Sequence, residues 1–295
     1  MPAELDIVAT ENRRLLREVK ELRARVAAFE SSRWLRMHPR FVLERLRGRV
    51  PRVERRADAP DAVSAPPPTS SAEDQLLTRF RKEVVARGSF RSDMVSGNFP
   101  KWERYMKGLE GRAAQILEIG SYEGMSACYF LWRLSDARLT CIDTFAGGPS
   151  FAARGEDVSG IEARFDQNVS LIDAARVRKL VGDSAHRLLE LKAEGEQFDV
   201  VFVDGSDLAL DVLVDAAMSW QLLAPGGLMI FDNYGWRSPL GEDPLFQPAH
   251  AVDAFLDLVG GHCDLVVKDN QVVVRRIRTT APVQVPAPVG APTKG

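Results

Sequence analysis

The chain is poor in the residues that make metal and disulfide scaffolds: three Cys and four His among 295 residues. Cys128, Cys141 and Cys263 lie in apolar settings and have no metal-binding spacing. They read as free, buried thiols of a reducing compartment, which excludes a disulfide framework. No apolar run approaches the ~20 residues that span a bilayer. The charged N-terminus lacks an apolar h-region, so no secretory signal is expected and the expected location is cytoplasmic. The dinucleotide fingerprint G-x-G-x-x-G is missing, which argues against a nicotinamide dehydrogenase.

The net charge of −2 conceals an asymmetry. Residues 1–58 hold 15 Lys and Arg against 9 Asp and Glu, a net of +6. The remainder holds 24 against 32, a net of −8. An acidic body with a basic arm does not suggest a nucleic-acid enzyme; it suggests that the arm has its own partner. In that arm Leu5, Val8, Asn12, Leu15, Val19, Leu22, Val26 and Phe29 alternate three- and four-residue steps. Val at a, Leu at d and one Asn at a favour a parallel two-stranded coiled coil, so a homodimer through residues 1–30 is expected. Residues 31–56 set Trp34, Leu35, Phe41, Val42 and Leu46 among Arg33, Arg36, Arg40, Arg45, Arg47 and Arg49, a pattern that suits peripheral contact with the inner membrane surface. Residues 57–74 read as a disordered linker stiffened by Pro66-Pro67-Pro68, and 279–295 as a disordered tail.

Between them, 75–278 alternates β and α patterns. Strands are expected at 115–120, 138–143, 177–182, 198–204 and 228–233, each followed by a helix, and a closing hairpin at 264–268 and 271–277 turns at Asp269-Asn270. The implied fold is α/β: a Rossmann-like, doubly wound, mostly parallel seven-stranded sheet with a C-terminal antiparallel hairpin, preceded by the helical arm.

The segment Gln115–Ala127 organises this body. An apolar strand ends at Gly120, turns through Ser121-Tyr122-Glu123-Gly124 and enters a helix. Such a turn presents backbone N–H groups and a helix N-terminus to a ligand, and glycine lets that ligand come close. Glu118 inside the strand needs a partner, which a cationic ligand group would supply. Ligands of open α/β sheets bind beyond the carboxyl ends of the strands. There the chain places Asp143, whose position suits a ribose diol, then Asp183-Ser184, Asp204-Gly205-Ser206-Asp207 and Asp232-Asn233-Tyr234. Polar groups at all five strand ends converge on one site. Asp183-Ser184 also reads as a plain N-cap. His186 reads as a solvent-facing residue just after an N-cap and His250 as a helix cap, with a role as base the alternative for each.

Glu118-Ile-Gly-Ser-Tyr-Glu-Gly-Met-Ser-Ala127 resembles the first motif of the catechol and caffeoyl-CoA-like O-methyltransferases, within the class I S-adenosylmethionine-dependent methyltransferases. Leu223-Ala-Pro-Gly-Gly227 resembles that family's entry to the fifth strand, and Asp204-Gly-Ser206 with Asp232-Asn-Tyr234 is similar to bacterial sugar O-methyltransferases. The resemblance covers residues ~90–277. It implies S-adenosyl-L-methionine as cofactor, with Gly120, Ser121, Tyr122 and Ser126 on the methionine side; Glu118 and Gly124, singled out above, join them as cofactor-binding candidates. It places Asp143 on the ribose and Asp183 and Ser184 on the adenine side. It further implies that Asp204, Asp232 and Asn233 hold Mg²⁺ or another divalent cation. Asp204 and Asp207 are then the catalytic candidates, although relatives usually carry Lys or His where this chain has Asp207. The expected acceptor is a hydroxyl of a sugar or glycan precursor. The alternatives are a catechol or natural product, or a weakly active scaffold in a glycan-assembly complex. Aromatic candidates for the acceptor side are Tyr234, Trp236 and Phe246, and candidates for an acidic group on the acceptor are Arg154, or Arg91 with Lys101.

Overall fold

The computed structural model describes residues 71–277. The coiled coil expected at 1–30, the basic segment at 31–56, most of the 57–74 linker and the 279–295 tail lie outside the described residues. Helix α1 (Ser71–Glu83) begins within the stretch expected to be linker, four residues before the helix read from the sequence. α2 (Phe99–Met106) follows. Then come β1 (Gln115–Ile119), α3 (Met125–Arg133), β2 (Arg138–Asp143), α4 (Pro149–Arg154), α5 (Ile161–Ser170), β3 (Val177–Val181) and α6 (Ser184–Glu194). The chain closes with β4 (Phe198–Val203), α7 (Ala209–Leu222), β5 (Leu223–Phe231), α8 (Pro248–Val259), β6 (Cys263–Lys268) and β7 (Val272–Arg276).

The seven strands form one sheet in the order β3-β2-β1-β4-β5-β7-β6. β7 pairs antiparallel with both β5 and β6, and the other pairings are parallel. The expected sheet, with one antiparallel strand, is therefore present. Strand succession runs outward from β1 to β3 and then jumps back across β1 to β4. That reversal opens a crevice between the β1 and β4 ends, where open sheets take ligands.

Alternation along the strands buries both faces. Ile116, Cys141, Phe202 and Ile230 face one core, which α2, α3 and α5 cover. Leu117, Ile142, Val201 and Met229 face the other, beneath α6, α7 and α8. The aromatic lead-in belongs to the first core. Trp102 stacks on Phe130 with centroids 4.9 Å apart, and Phe99 on Tyr129 at 3.8 Å. Rings so buried contribute roughly 2–3 kcal/mol each. Most of the aromatic residues ahead of β1 are thus consumed by packing; Met94 remains exposed.

Three differences from the sequence reading bear on the site. The 145–159 loop contains α4, a single helical segment started by Pro149 after Gly148. β5 starts at Leu223 rather than 228, with a register shift opposite Phe198–Val200, so Pro225-Gly226-Gly227 lies inside the strand. It also ends at Phe231, which leaves Asp232 and Asn233 beyond the ladder.

Gly120 has a different reason from the one expected. Its φ is +86°, and a Cβ there would stand 2.1 Å from the Asp204 carbonyl oxygen and 2.5 Å from Gly205 Cα. The close approach it permits is first that of the chain to itself. Gly124 likewise has φ +80°, and its Cβ would meet the Phe165 ring at 2.9 Å. Gly120→Ala should therefore cost more than about 3 kcal/mol, the clash adding to the strain of an L-residue at positive φ. Urea unfolding of the variant checks this; a loss below about 1 kcal/mol would show that the crevice can widen freely.

Candidate active site

The crevice is a cavity of about 880 Å³ lined from the ends of all five parallel strands. This is at the upper end of the range for small-molecule sites. Gly120 and Tyr122 enter it after β1, Asp143 from β2, Gly182 to Ala185 after β3, Asp204 to Asp207 after β4, and Asp232 and Asn233 after β5. α4 contributes Phe151 and Arg154 to the wall. The lining holds eight carboxylates: Asp143, Glu156, Asp183, Asp204, Asp207, Asp211, Asp215 and Asp232. Arg154 is the one Lys or Arg among these lining residues, and it pairs with Glu156 at 2.5 Å. Low-dielectric walls focus such a field, so the cavity favours a cationic ligand.

The backbone is tightened around this space. Tyr122, Phe145 and Asn233 all have positive φ, at 47°, 53° and 60°. Asp143 helps to hold two of these bends. Its Oδ2 accepts the Tyr122 N–H at 2.7 Å and its Oδ1 the Phe145 N–H at 2.6 Å. Burial raises its carboxyl, and these amides pull it back down. Each oxygen retains lone-pair capacity for a diol. Asp183 caps α6 by accepting the His186 N–H at 3.1 Å, so the N-cap role and a place on the cavity wall coexist.

Asp204 lies at the reversal point. Its backbone N–H donates to Ile119 O at 2.8 Å, and its Oδ1 accepts from Asn233 Nδ2 at 2.8 Å. Its carboxyl is pushed well above the ordinary range, first by burial and then by Asp232 and Asp207. Burial also raises Asp232, against the hydrogen bond it receives from Gln271. Asp207 is raised by burial too, with Ser150 and Arg154 of α4 pulling it down.

The cavity brings together Gly120, Tyr122, Asp143, Asp183, Ser184, Asp204, Asp207, Asp232 and Asn233 of the residues expected to act. Glu118, Ser121, Gly124 and Ser126 do not line it; they lie buried beneath the turn. Glu118 receives the Cys141 thiol at 3.5 Å on Oε2, while Oε1 and the Ser121 hydroxyl have no partner. His186 is 85% exposed and donates no group to the wall, and His250 is exposed on α8. Of the acceptor-side aromatics Trp236 lines the cavity, whereas the Tyr234 hydroxyl donates to Asp253 at 3.0 Å and Phe246 lies elsewhere. Arg91 and Lys101 are paired to Asp157 and Asp269 at 2.9 and 2.8 Å, which leaves Arg154 as the cation of the site.

Three wall carboxylates escaped the sequence reading: Glu156, Asp211 and Asp215. Arg154's partner Glu156 sits in an unreadable loop. Asp215 is 2% exposed, and its Oδ1 has no hydrogen-bond partner. The available signal was an acid within the apolar run Val212-Leu-Val-Asp-Ala-Ala217.

Burial pushes both Glu118 and Asp215 up to about 7, from 4.5 and 3.8. The folded protein then holds protons that the unfolded chain releases above about pH 4–4.5. Stability contributed by the neutral forms falls as pH rises through that window and levels off above about pH 7. The loss is up to about 3 kcal/mol for Glu118 and about 4 kcal/mol for Asp215. Glu118→Gln should flatten this slope and exceed the wild type in stability at about pH 7.5, as measured by urea unfolding without ligand; an unchanged slope would mean Glu118 ionises freely in the folded state.

Residues 117–234 match the family described as a methyltransferase domain. No curated protein sequence matches the chain. Among solved structures, the MycE methyltransferase from the mycinamycin biosynthetic pathway, in complex with Mg, SAH and mycinamycin VI, is 18% identical with a TM-score of 0.50; the match covers 75% of this chain and 57% of that one. The chain thus spans little more than half the length of that protein. An O-methyltransferase from Bacillus cereus in complex with SAH is 16% identical over 71% of this chain and 92% of that one, with a TM-score of 0.46. TomG from Streptomyces achromogenes, in complex with SAM, is 21% identical over 70% and 90%, also with a TM-score of 0.46. With the strand order and the acidic crevice at its reversal point, the family match gives the central part of the chain its character: residues 117–234 are similar to a methyltransferase domain, within a Rossmann-like sheet.

Proposed function

We propose that the enzyme is an O-methyltransferase acting on a hydroxyl of a sugar or glycan precursor, with help from a divalent cation. The observation that carries this reading is the meeting of Asp204, Asp207, Asp232 and Asn233 on one cavity wall, beside the Asp143 position suited to a ribose diol. A sulfonium donor is cationic and suits the acidic field. The wall from Met94 to Trp236 offers apolar surface for the ring of an acceptor.

The donor set fits a hard cation. Asp204 and Asp232 supply carboxylates and Asn233 an amide oxygen, its Nδ2 being already engaged with Asp204. No group of three or more His, Cys, Asp or Glu forms a metal cluster among the described residues, so the protein share would be two carboxylates and the amide. Bound there, Mg²⁺ would acidify an acceptor hydroxyl and fix its direction. The MycE structure named above contains Mg with SAH, which supports this reading by analogy of fold.

Asp207 is the base in this proposal. Its raised carboxyl is better matched to accepting an acceptor proton near neutrality than an ordinary Asp. S-adenosyl-L-methionine, when bound, would supply the methyl group, and Asp207 would take the proton of the acceptor hydroxyl as its oxygen receives that methyl. The products are the methyl ether and S-adenosylhomocysteine. Asp143 holds the cofactor side, and α4 covers Asp207 with Ser150 and Arg154. For the segments beyond the described residues, we propose a homodimer through 1–30 and membrane-surface contact through 31–56.

Calorimetry of the full chain should show S-adenosylhomocysteine binding, weakened about 10–100-fold in Asp143→Ala as two charge-assisted hydrogen bonds are lost. Acceptor turnover should fall at least ~100-fold with EDTA or in Asp232→Ala. Turnover that survives EDTA would remove the cation and leave Asp207 to act alone. A panel of sugar, glycan and catechol acceptors separates the proposed acceptor class from its small-molecule alternative.

A further inference from the structure

Asp232 is held from outside the matched methyltransferase segment. Gln271, 1% exposed in the turn between β6 and β7, donates from Nε2 to Asp232 Oδ1 at 2.9 Å. Its Oε1 accepts from Trp102 Nε1 at 3.0 Å. An indole N–H only donates, so it admits only the oxygen end of the amide. A flipped amide would oppose N–H to N–H at Trp102 and oxygen to carboxylate at Asp232. Trp102 therefore fixes which end of Gln271 faces the site. Trp102 is itself immobilised, fully buried and stacked on Phe130 with planes 3° apart.

The turn carrying Gln271 is tied to the same helix twice. Lys101, beside Trp102 on α2, pairs with Asp269 at 2.8 Å. Asp269 Oδ1 in turn accepts the Gln271 N–H at 2.9 Å. Asn98, just before α2, places Nδ2 3.5 Å from Asp232 Oδ1. The rotation of the Asp232 carboxylate is thus set by side chains from residues 98–102 and 271, all outside 117–234.

We propose that Gln271 is a positioning residue for Asp232, and that Trp102 acts through Gln271 to aim this carboxylate at a divalent cation. The inference rests on the cation reading given above. Partners that orient a ligating carboxylate typically account for 10–100-fold in metal affinity. Hydrogen bonds to Asp232 from behind also compensate a buried carboxylate that has no Lys or Arg among its hydrogen-bond partners.

The test is Mn²⁺ binding to the full chain, measured by titration calorimetry and by the loss of the free-ion electron paramagnetic resonance signal. Gln271→Met should weaken Mn²⁺ about 10–100-fold. Gln271→Asn, which keeps the amide but shortens its reach, should act in the same direction. S-adenosylhomocysteine affinity should stay within about threefold in both, since neither residue meets the cofactor side. Trp102→Phe should also weaken Mn²⁺, and the double variant Trp102→Phe/Gln271→Met should be no worse than Gln271→Met alone, because Trp102 acts through Gln271. Additive losses, or equal falls in cofactor and metal affinity, would reduce both residues to packing and overturn the proposal. Unchanged Mn²⁺ affinity in both Gln271 variants would overturn it while leaving the cation reading intact. A wild-type chain that binds no Mn²⁺ would remove the cation reading and this inference with it.

Discussion

The contact between Gly120 and the end of β4 governs the site. The backbone after β1 lies against the Asp204 carbonyl so closely that no Cβ fits between them. Hydrogen bonds from Gly120 N to Ile142 O and from Asp204 N to Ile119 O fasten three strand ends to one another. This convergence brings Asp143, Asp204 and, one strand further, Asp232 to one crevice. A wider turn would separate the side that suits a ribose from the side that carries Asp207.

Convergence has an electrostatic cost that the architecture meets in different ways. Asp143 is compensated by backbone N–H groups, Asp232 by side-chain amides and Asp207 by Ser150 and Arg154 of α4. Asp204 has Asn233, and its carboxyl remains pushed upward by Asp232 and Asp207. Buried like charges of this kind persist where protons or a cationic ligand neutralise them. The binding of a sulfonium therefore relieves repulsion already present in the fold. Glu118 and Asp215 follow the other course: burial raises both carboxyls to about 7, so that a proton can take the place of a partner.

The sheet and half of the site were legible because both depend on local signals. An apolar strand followed by glycine and a helical period places β1 and its turn, and a polar residue ending each apolar run marks the five strand ends. The same reading put Glu118, Ser121 and Ser126 at the ligand, where the fold buries them beneath the turn. Position along the chain gave their proximity to the site but not the side of the backbone on which they lie. Gly120 was legible as a close approach, but not whose. α4 is six residues long with one Pro and no periodicity to read. Gln271 meets Asp232 from 39 positions away in sequence, and single-chain patterns carry no record of such a pair.

That division follows the two ends of the crevice. The turn after β1 and the strand-end acids are set within short segments of sequence. The surroundings of Asp207 and Asp232 draw on α2, α4 and the β6–β7 turn, elements that meet only in the folded chain. Aromatic residues in the lead-in look available for substrate recognition, yet Phe99 and Trp102 lie in the core. Their influence on chemistry can then only be indirect, through what they hold in place. Trp102 shows how: its ring is spent on packing against Phe130, and its one polar atom is directed through Gln271 to Asp232. Through these contacts a wall residue of the cavity is tied to the hydrophobic core.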